Sequence, residues 1–186
     1  MGRVTDDEIR KMNELYLVYH TYSAVAKEVG RAAGTVKRYI DPNFQLEKKE
    51  LLSIDWDALG ALPKIDLMEG SIGGFTSQNT YDGSISAFSL EERPGMKDKY
   101  VIINHFDEIP VPRLDTSYRV LEARLLHKTY EEYIDFCSDY LGAFVSRGGK
   151  YAGIYFENTY NVQRLVNLLN KKFKESYDEK LYEEQQ

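Results

Sequence analysis

The 186-residue sequence contains one cysteine, Cys137, and three histidines. A single cysteine excludes an intrachain disulfide and a cysteine-rich zinc site. Beside Phe136 and an apolar stripe leading to Tyr140, it reads as a buried thiol, since free cysteine behaves as a small hydrophobe. His20, His105 and His127 are scattered, without the paired spacing of a metal site. No apolar run approaches the roughly 20 residues of a membrane span, and the N-terminus lacks an apolar signal core. A cytoplasmic protein without membrane contact is therefore expected. No serine, histidine and aspartate occur in order around a nucleophile elbow. The glycine-rich stretch at 69–75 lacks the lysine-serine or lysine-threonine pair of a phosphate loop, and reads as a turn-rich connection. His105, Asp107 and Glu108 follow a strand-like run and read as a solvated loop. The expectation is a protein that is not an enzyme and uses no metal or cofactor.

What is present is enough apolar material for a folded chain, 42% hydrophobic against 29% charged residues, with 15 tyrosines suited to interfaces and half-wet cores. The net charge of −6 is unevenly spread. Residues 1–41 carry seven basic and six acidic side chains, a net of +1, so the remainder nets −7. That acidity disfavours wrapping the C-terminal part on phosphate, and locates any nucleic-acid contact at the N-terminus.

Thr5 and Glu8 form a capping box, with Asp6 and Asp7 at the positive end of the helix dipole. Ile9, Met12, Leu15, Tyr16 and Tyr19 then recur every three or four residues, predicting a helix over 6–20 that His20 caps. Ser23 is expected to cap a second helix through Val29, which Gly30 ends by taking a positive φ. A third runs from Gly34 to Ile40 and stops at Asp41-Pro42, because proline disfavours helical geometry in the residue before it.

The stretch from Tyr22 to Ile40 resembles the helix-turn-helix of resolvases, transposases and bacterial repressors. Ala26 is the small residue that lets two helices cross closely, Gly30 makes the turn, and Val36 locks the last helix onto the first. Val25, Val29 and Tyr39 supply the apolar flanks. The resemblance implies a recognition helix with Arg31, Ala33, Gly34, Thr35, Lys37 and Arg38 on or beside its DNA-facing side. A small leading edge admits the backbone, Lys37 and Arg38 reach guanine edges or phosphates, and Thr35 meets a phosphate or a thymine methyl. Ala32 stands where many members carry a capping serine or threonine, which weakens the start of that helix.

Beyond residue 45, a connector over 46–70 (Leu46, Leu51, Leu52, Ile54, Trp56, Leu59, Leu62) reads as short helical pieces, with Trp56 covering the seam between modules. Residues 71–186 read as an α+β dimerisation or partner-binding domain, so the fold class is α+β behind an all-helical helix-turn-helix at 1–45. Its elements are strands over 84–90 and 100–106 around a Pro94-Gly95 turn, and a further strand over 118–126. Thr129 and Glu132 then open a helix over 130–145 closed by Gly148-Gly149. A strand over 151–156 and a last helix capped by Asn158 or Thr159 follow, with a charged, solvated tail from Glu175. Tyr140 to Tyr151 is also similar to the central helix of LAGLIDADG homing endonucleases. Ser146 and Arg147 stand where that family has its metal-binding acid, which implies lost cleavage.

Two functions follow. The first is a sequence-specific regulator of transcription from a phage or mobile element, binding double-stranded DNA as a homodimer because one recognition helix makes too few contacts. The second rests on layout alone. Some phage anti-CRISPR proteins join a helix-turn-helix to an unrelated domain, and an acidic 71–186 module would then capture a host nucleic-acid-handling protein such as Cas9.

Overall fold

A computed structural model describes residues 2–45, 50–72, 81, 83–96, 98–109, 111–147, 152–157 and 159–177. The element order is α1 (Asp6–Tyr19), α2 (Tyr22–Val29), α3 (Ala33–Tyr39), α4 (Trp56–Gly60), β1 (Phe88–Glu92), β2 (Tyr100–Asn104), α5 (Arg119–Leu125), α6 (Tyr130–Leu141), β3 (Phe144–Ser146), β4 (Gly153–Tyr155) and α7 (Thr159–Ser176). The class is α+β, with N-terminal helices followed by two small antiparallel sheets among helices. Among the described residues no helix is long and apolar enough to cross a membrane.

The N-terminal helices follow their local signals closely. Thr5 and Glu8 complete both halves of the capping box of α1, and His20 ends it in the left-handed region (φ 54°), its N–H on the Tyr16 carbonyl at 2.9 Å. Thr21, not Ser23, caps α2, its hydroxyl accepting from the Ala24 N–H at 3.4 Å. Capping one residue pair earlier lets the Tyr22 ring stack on Tyr16, with centroids 4.9 Å apart. Gly30 takes φ 66°, and a Cβ there meets nothing within 4 Å. Gly30→Ala therefore adds backbone strain alone, a loss of about 1 kcal/mol once the stiffer unfolded chain is counted. Urea unfolding measures it, and an unchanged midpoint contradicts the assignment of Gly30 as an obligatory turn residue.

Two cores are present. The N-terminal one gathers Met12, Leu15, Val18, Tyr19, Ala24, Val25, Ala26 and Val36, and it includes Met96 and Tyr155 from the other half of the chain, with Val101 and Phe144 packed at its edge. The larger core joins β1, α5, α6 and α7 around Phe88, Leu121, Tyr133, Phe156, Leu165 and Phe173. The two hairpins link these cores. Phe88 pairs with Asn104 and Glu92 with Tyr100 in β1–β2, and Phe144 with Tyr155 in β3–β4. Tyr100 and Phe156 exchange backbone hydrogen bonds at 2.9 and 2.8 Å, joining one hairpin to the other.

Several expectations are corrected. Residues 119–125 form α5 rather than a strand; Leu121, Leu125 and Leu126 are buried together, the spacing of a helix face and not of a pleat. The strand expected from Ser84 begins only at Phe88, leaving Ile85 exposed. Helix α6 opens on the expected Thr129–Glu132 box but ends at Leu141, where Gly142 turns left-handed at φ 67°. Phe144 to Ser146 is a strand, so no continuous helix of the LAGLIDADG kind runs through Ser146 and Arg147. Helix α7 continues to Ser176, and Tyr177 beyond it is buried, so the solvated tail does not begin at Glu175. Gly73, Gly74, Phe75, Gly148, Gly149, Asn158, Leu46 and residues 178–186 lie outside the described residues.

Within the described part of the connector only α4 is helical. Trp56 packs on the larger core under the Arg164 guanidinium, 4.5 Å from its ring, and not at the seam with the N-terminal helices. Lys172, 2% exposed, holds the same segment to α7 by donating to the Gly60 and Leu62 carbonyls at 2.6 Å. A buried ammonium is tolerated there because two carbonyls and the Glu175 carboxylate at 3.3 Å replace its water.

Candidate nucleic-acid interface

Helix α3 has only seven residues, too short to persist alone in water. Its position is set by packing. Val36 is fully buried, Tyr39 and Ile40 are half-buried on the same core, and Ala26 faces them from α2, buried and small enough for a close crossing. A second tether is polar. Asn13 of α1, 4% exposed, donates to the Tyr39 carbonyl at 3.0 Å and accepts from the Asp41 N–H at 2.7 Å, clamping the C-terminal end of α3. Sequence periodicity missed this residue, because a polar side chain on an apolar stripe carries no signal until its partners are known.

Ala32 precedes α3 without a side-chain cap, as expected. The opposite side of the helix is open. Gly34, Lys37 and Arg38 are exposed, and a Cβ at Gly34 meets nothing within 4 Å. Among the described residues, the α+β lobe packs on the N-terminal helices through Met96, Val101, Phe144 and Tyr155. Tyr19 extends that seat by donating to the Ser146 hydroxyl at 3.2 Å. Thr35 is half-buried; Ala33 is half-buried too and packs on the core, which narrows the outward surface to Gly34, Lys37 and Arg38.

Arg31 sits differently from the others. Its Nη2 lies 2.9 and 3.0 Å from the two Glu8 oxygens, its Nε 3.2 Å from Glu8 Oε1, and its Nη1 2.9 Å from the Gly2 carbonyl. This bidentate pair, with the arginine side chain 14% exposed, bolts the start of α1 to the turn before α3. Glu8 is held below the usual carboxylate range, first by the Thr5 N–H and then by this guanidinium. The donors of Arg31 are thus committed within the protein.

The remaining sequence candidates resolve quietly. The His105 ring bonds Ser89 at 2.7 Å and lies 3.5 Å from Glu108, His127 bonds the Pro63 carbonyl at 2.7 Å, and no group of three metal-binding side chains occurs among the described residues. Cys137 is fully buried, and burial pushes its thiol far above the ordinary range, so it carries no thiolate character. One group that the sequence did not flag is Glu122. It is buried at the α5–α6 crossing and accepts from the Tyr133 hydroxyl at 2.7 Å. Burial pushes its carboxyl up to about 7.

No protein-family model, no characterised protein and no solved structure matches this chain.

Proposed function

We propose that the chain is a sequence-specific double-stranded DNA-binding protein that regulates transcription, with α3 as its recognition helix. The observation that carries this reading is the two-sidedness of α3: Val36 is locked into the core while Gly34, Lys37 and Arg38 stand exposed. A helix entering the major groove needs this division, with backbone and small side chains near the base edges and cations beside them. Gly34 forms the leading edge, Lys37 and Arg38 supply guanine or phosphate contacts, and Thr35 and Ala33 shape the flank. Arg31 orients the module through Glu8 rather than reading DNA.

A seven-residue helix offers few base contacts, so the active form is a homodimer placing two such helices on half-sites about 10 base pairs apart. Selection of bound duplexes from a randomised pool tests this directly. The expected product is an inverted repeat with that spacing, bound by two copies in sedimentation, with an affinity that falls steeply as salt rises. Enrichment of no sequence overturns the reading; a single half-site bound by a monomer overturns the dimer.

A further inference from the structure

Beside the β2–β4 junction lies a cavity of about 240 Å³ that the DNA-binding reading does not use. Its most buried polar lining is the Glu122–Tyr133 pair, the one buried and the other wholly so. Toward solvent stand Arg119, exposed, and Arg93, half-buried. Between these ends the walls are apolar and partly aromatic, including Ile103, Ile154 and Phe156. One Glu122 oxygen is taken by Tyr133 at 2.7 Å; among the described residues the other has no hydrogen-bond partner. The volume is below the roughly 300–1,000 Å³ of sites for drug-sized molecules, which limits an occupant to a single small ring or its equivalent.

We propose that this cavity is a binding site for a small aromatic carboxylate carrying a hydroxyl or amino group at its far end. Each part of such a molecule meets its complement. The carboxylate pairs with the guanidinium groups of Arg119 and Arg93 at the mouth, where partial exposure keeps their desolvation cheap. The ring lies against the apolar walls, which gain from every carbon removed from water. The far donor reaches the Glu122 oxygen that Tyr133 leaves open to the cavity, replacing the water it would otherwise bond. A molecule lacking either polar end leaves one of these groups unmatched, so the site discriminates by the ends and not by the ring. Val101 and Tyr155 line the cavity and also belong to the seat of the N-terminal helices, but binding requires nothing from the DNA-facing side.

The test uses the full chain and three probes, 4-hydroxybenzoate, benzoate and phenol, titrated with two-dimensional NMR. 4-Hydroxybenzoate is expected to bind with a dissociation constant between high micromolar and low millimolar, as suits so few atoms. Amide shifts should be confined to β2, β4, α5 and α6. Benzoate and phenol, each missing one polar end, should bind roughly tenfold more weakly. Arg119→Gln, at an exposed position, should weaken 4-hydroxybenzoate and benzoate roughly tenfold while leaving phenol unchanged. Glu122→Gln should weaken phenol and 4-hydroxybenzoate but not benzoate. The proposal is overturned if 4-hydroxybenzoate fails to bind up to its solubility limit, if all three probes bind alike, if the shifts lie elsewhere, or if Arg119→Gln affects phenol as much as benzoate.

Discussion

Replacing Lys37 and Arg38 together by alanine is expected to weaken binding to the selected duplex by at least about a hundredfold, with the fold retained. The size follows from two lost cationic contacts, each worth about 1–3 kcal/mol when made to a base edge. Both side chains are exposed, so truncation leaves no cavity and, among the described residues, no orphaned partner. They do occupy the last turn of α3, where cations favour the helix dipole, so a loss of a few tenths of a kcal/mol in stability accompanies the change. Fluorescence anisotropy at several salt concentrations separates the roles. A lost phosphate contact flattens the salt dependence by about one unit of slope, whereas a lost base contact relaxes the preferred sequence at one position. Gly34→Glu provides an independent check with effects of opposite sign. Glycine disfavours helix and an acid favours its first turn, so the variant should be the more stable protein by about 1 kcal/mol. Its carboxylate nevertheless projects from the open side of α3 toward phosphate, and binding should be lost. Undiminished affinity in both variants sinks the assignment of α3 as the recognition helix.

The second large effect concerns Glu122 and pH. Its carboxyl is pushed up from 4.5 to about 7, first because burial penalises the charged form; the Tyr133 hydrogen bond and the Arg119 charge pull it back only in part. In the unfolded chain the same group titrates near its ordinary value. Between those two values the folded state therefore holds a proton that the unfolded state has released, and stability falls as pH rises through this window. Above about pH 7 the loss is complete, on the order of 3 kcal/mol for a shift of this size. Glu122→Gln keeps an acceptor for the Tyr133 hydroxyl and carries no charge to bury. Urea unfolding followed by circular dichroism should find the variant nearly equal to the wild type at pH 5 and more stable by up to about 3 kcal/mol at pH 8. A difference that stays flat from pH 5 to pH 8 would falsify the account of Glu122 as a buried acid that ionises against its surroundings.

Why an acid should be kept there, at a cost in stability, is consistent with the cavity it faces. A leucine at the same place would pack more cheaply. A carboxylate in contact with a solvent-reachable cavity retains the ability to accept a hydrogen bond from a small molecule, which an apolar side chain lacks. The pH experiment and the probe titration are independent, since the first measures ionisation of the empty protein and the second recognition of both ends of a ligand.

The parts of the protein that the sequence determined by itself are those governed by neighbours within a few residues. The capping boxes at Thr5 and Thr129 are complete in the chain, because each needs only residues three apart. The positive φ at Gly30, the buried Val36 and the open Gly34, Lys37 and Arg38 also follow from short-range spacing, so the candidate interface was largely legible. Where local signals conflicted, the tertiary structure decided. Residues 119–125 suit a strand or a helix in isolation, and became a helix because burial of Leu121, Leu125 and Leu126 against α6 and α7 requires a shared face. Gly142 overrode an apolar pattern that would have carried α6 onward. Long-range electrostatics were invisible in the same way. Arg31 looked like a free cation until Glu8, 23 residues earlier, was found holding it, and Asn13 looked surplus on its stripe until the end of α3 arrived beside it. Glu122 drew no notice inside an expected strand, and only the crossing of α5 over α6 buried it next to Tyr133. The reason is common to all three: a side chain's charge state and role depend on what displaces its water, and the folded chain alone supplies that.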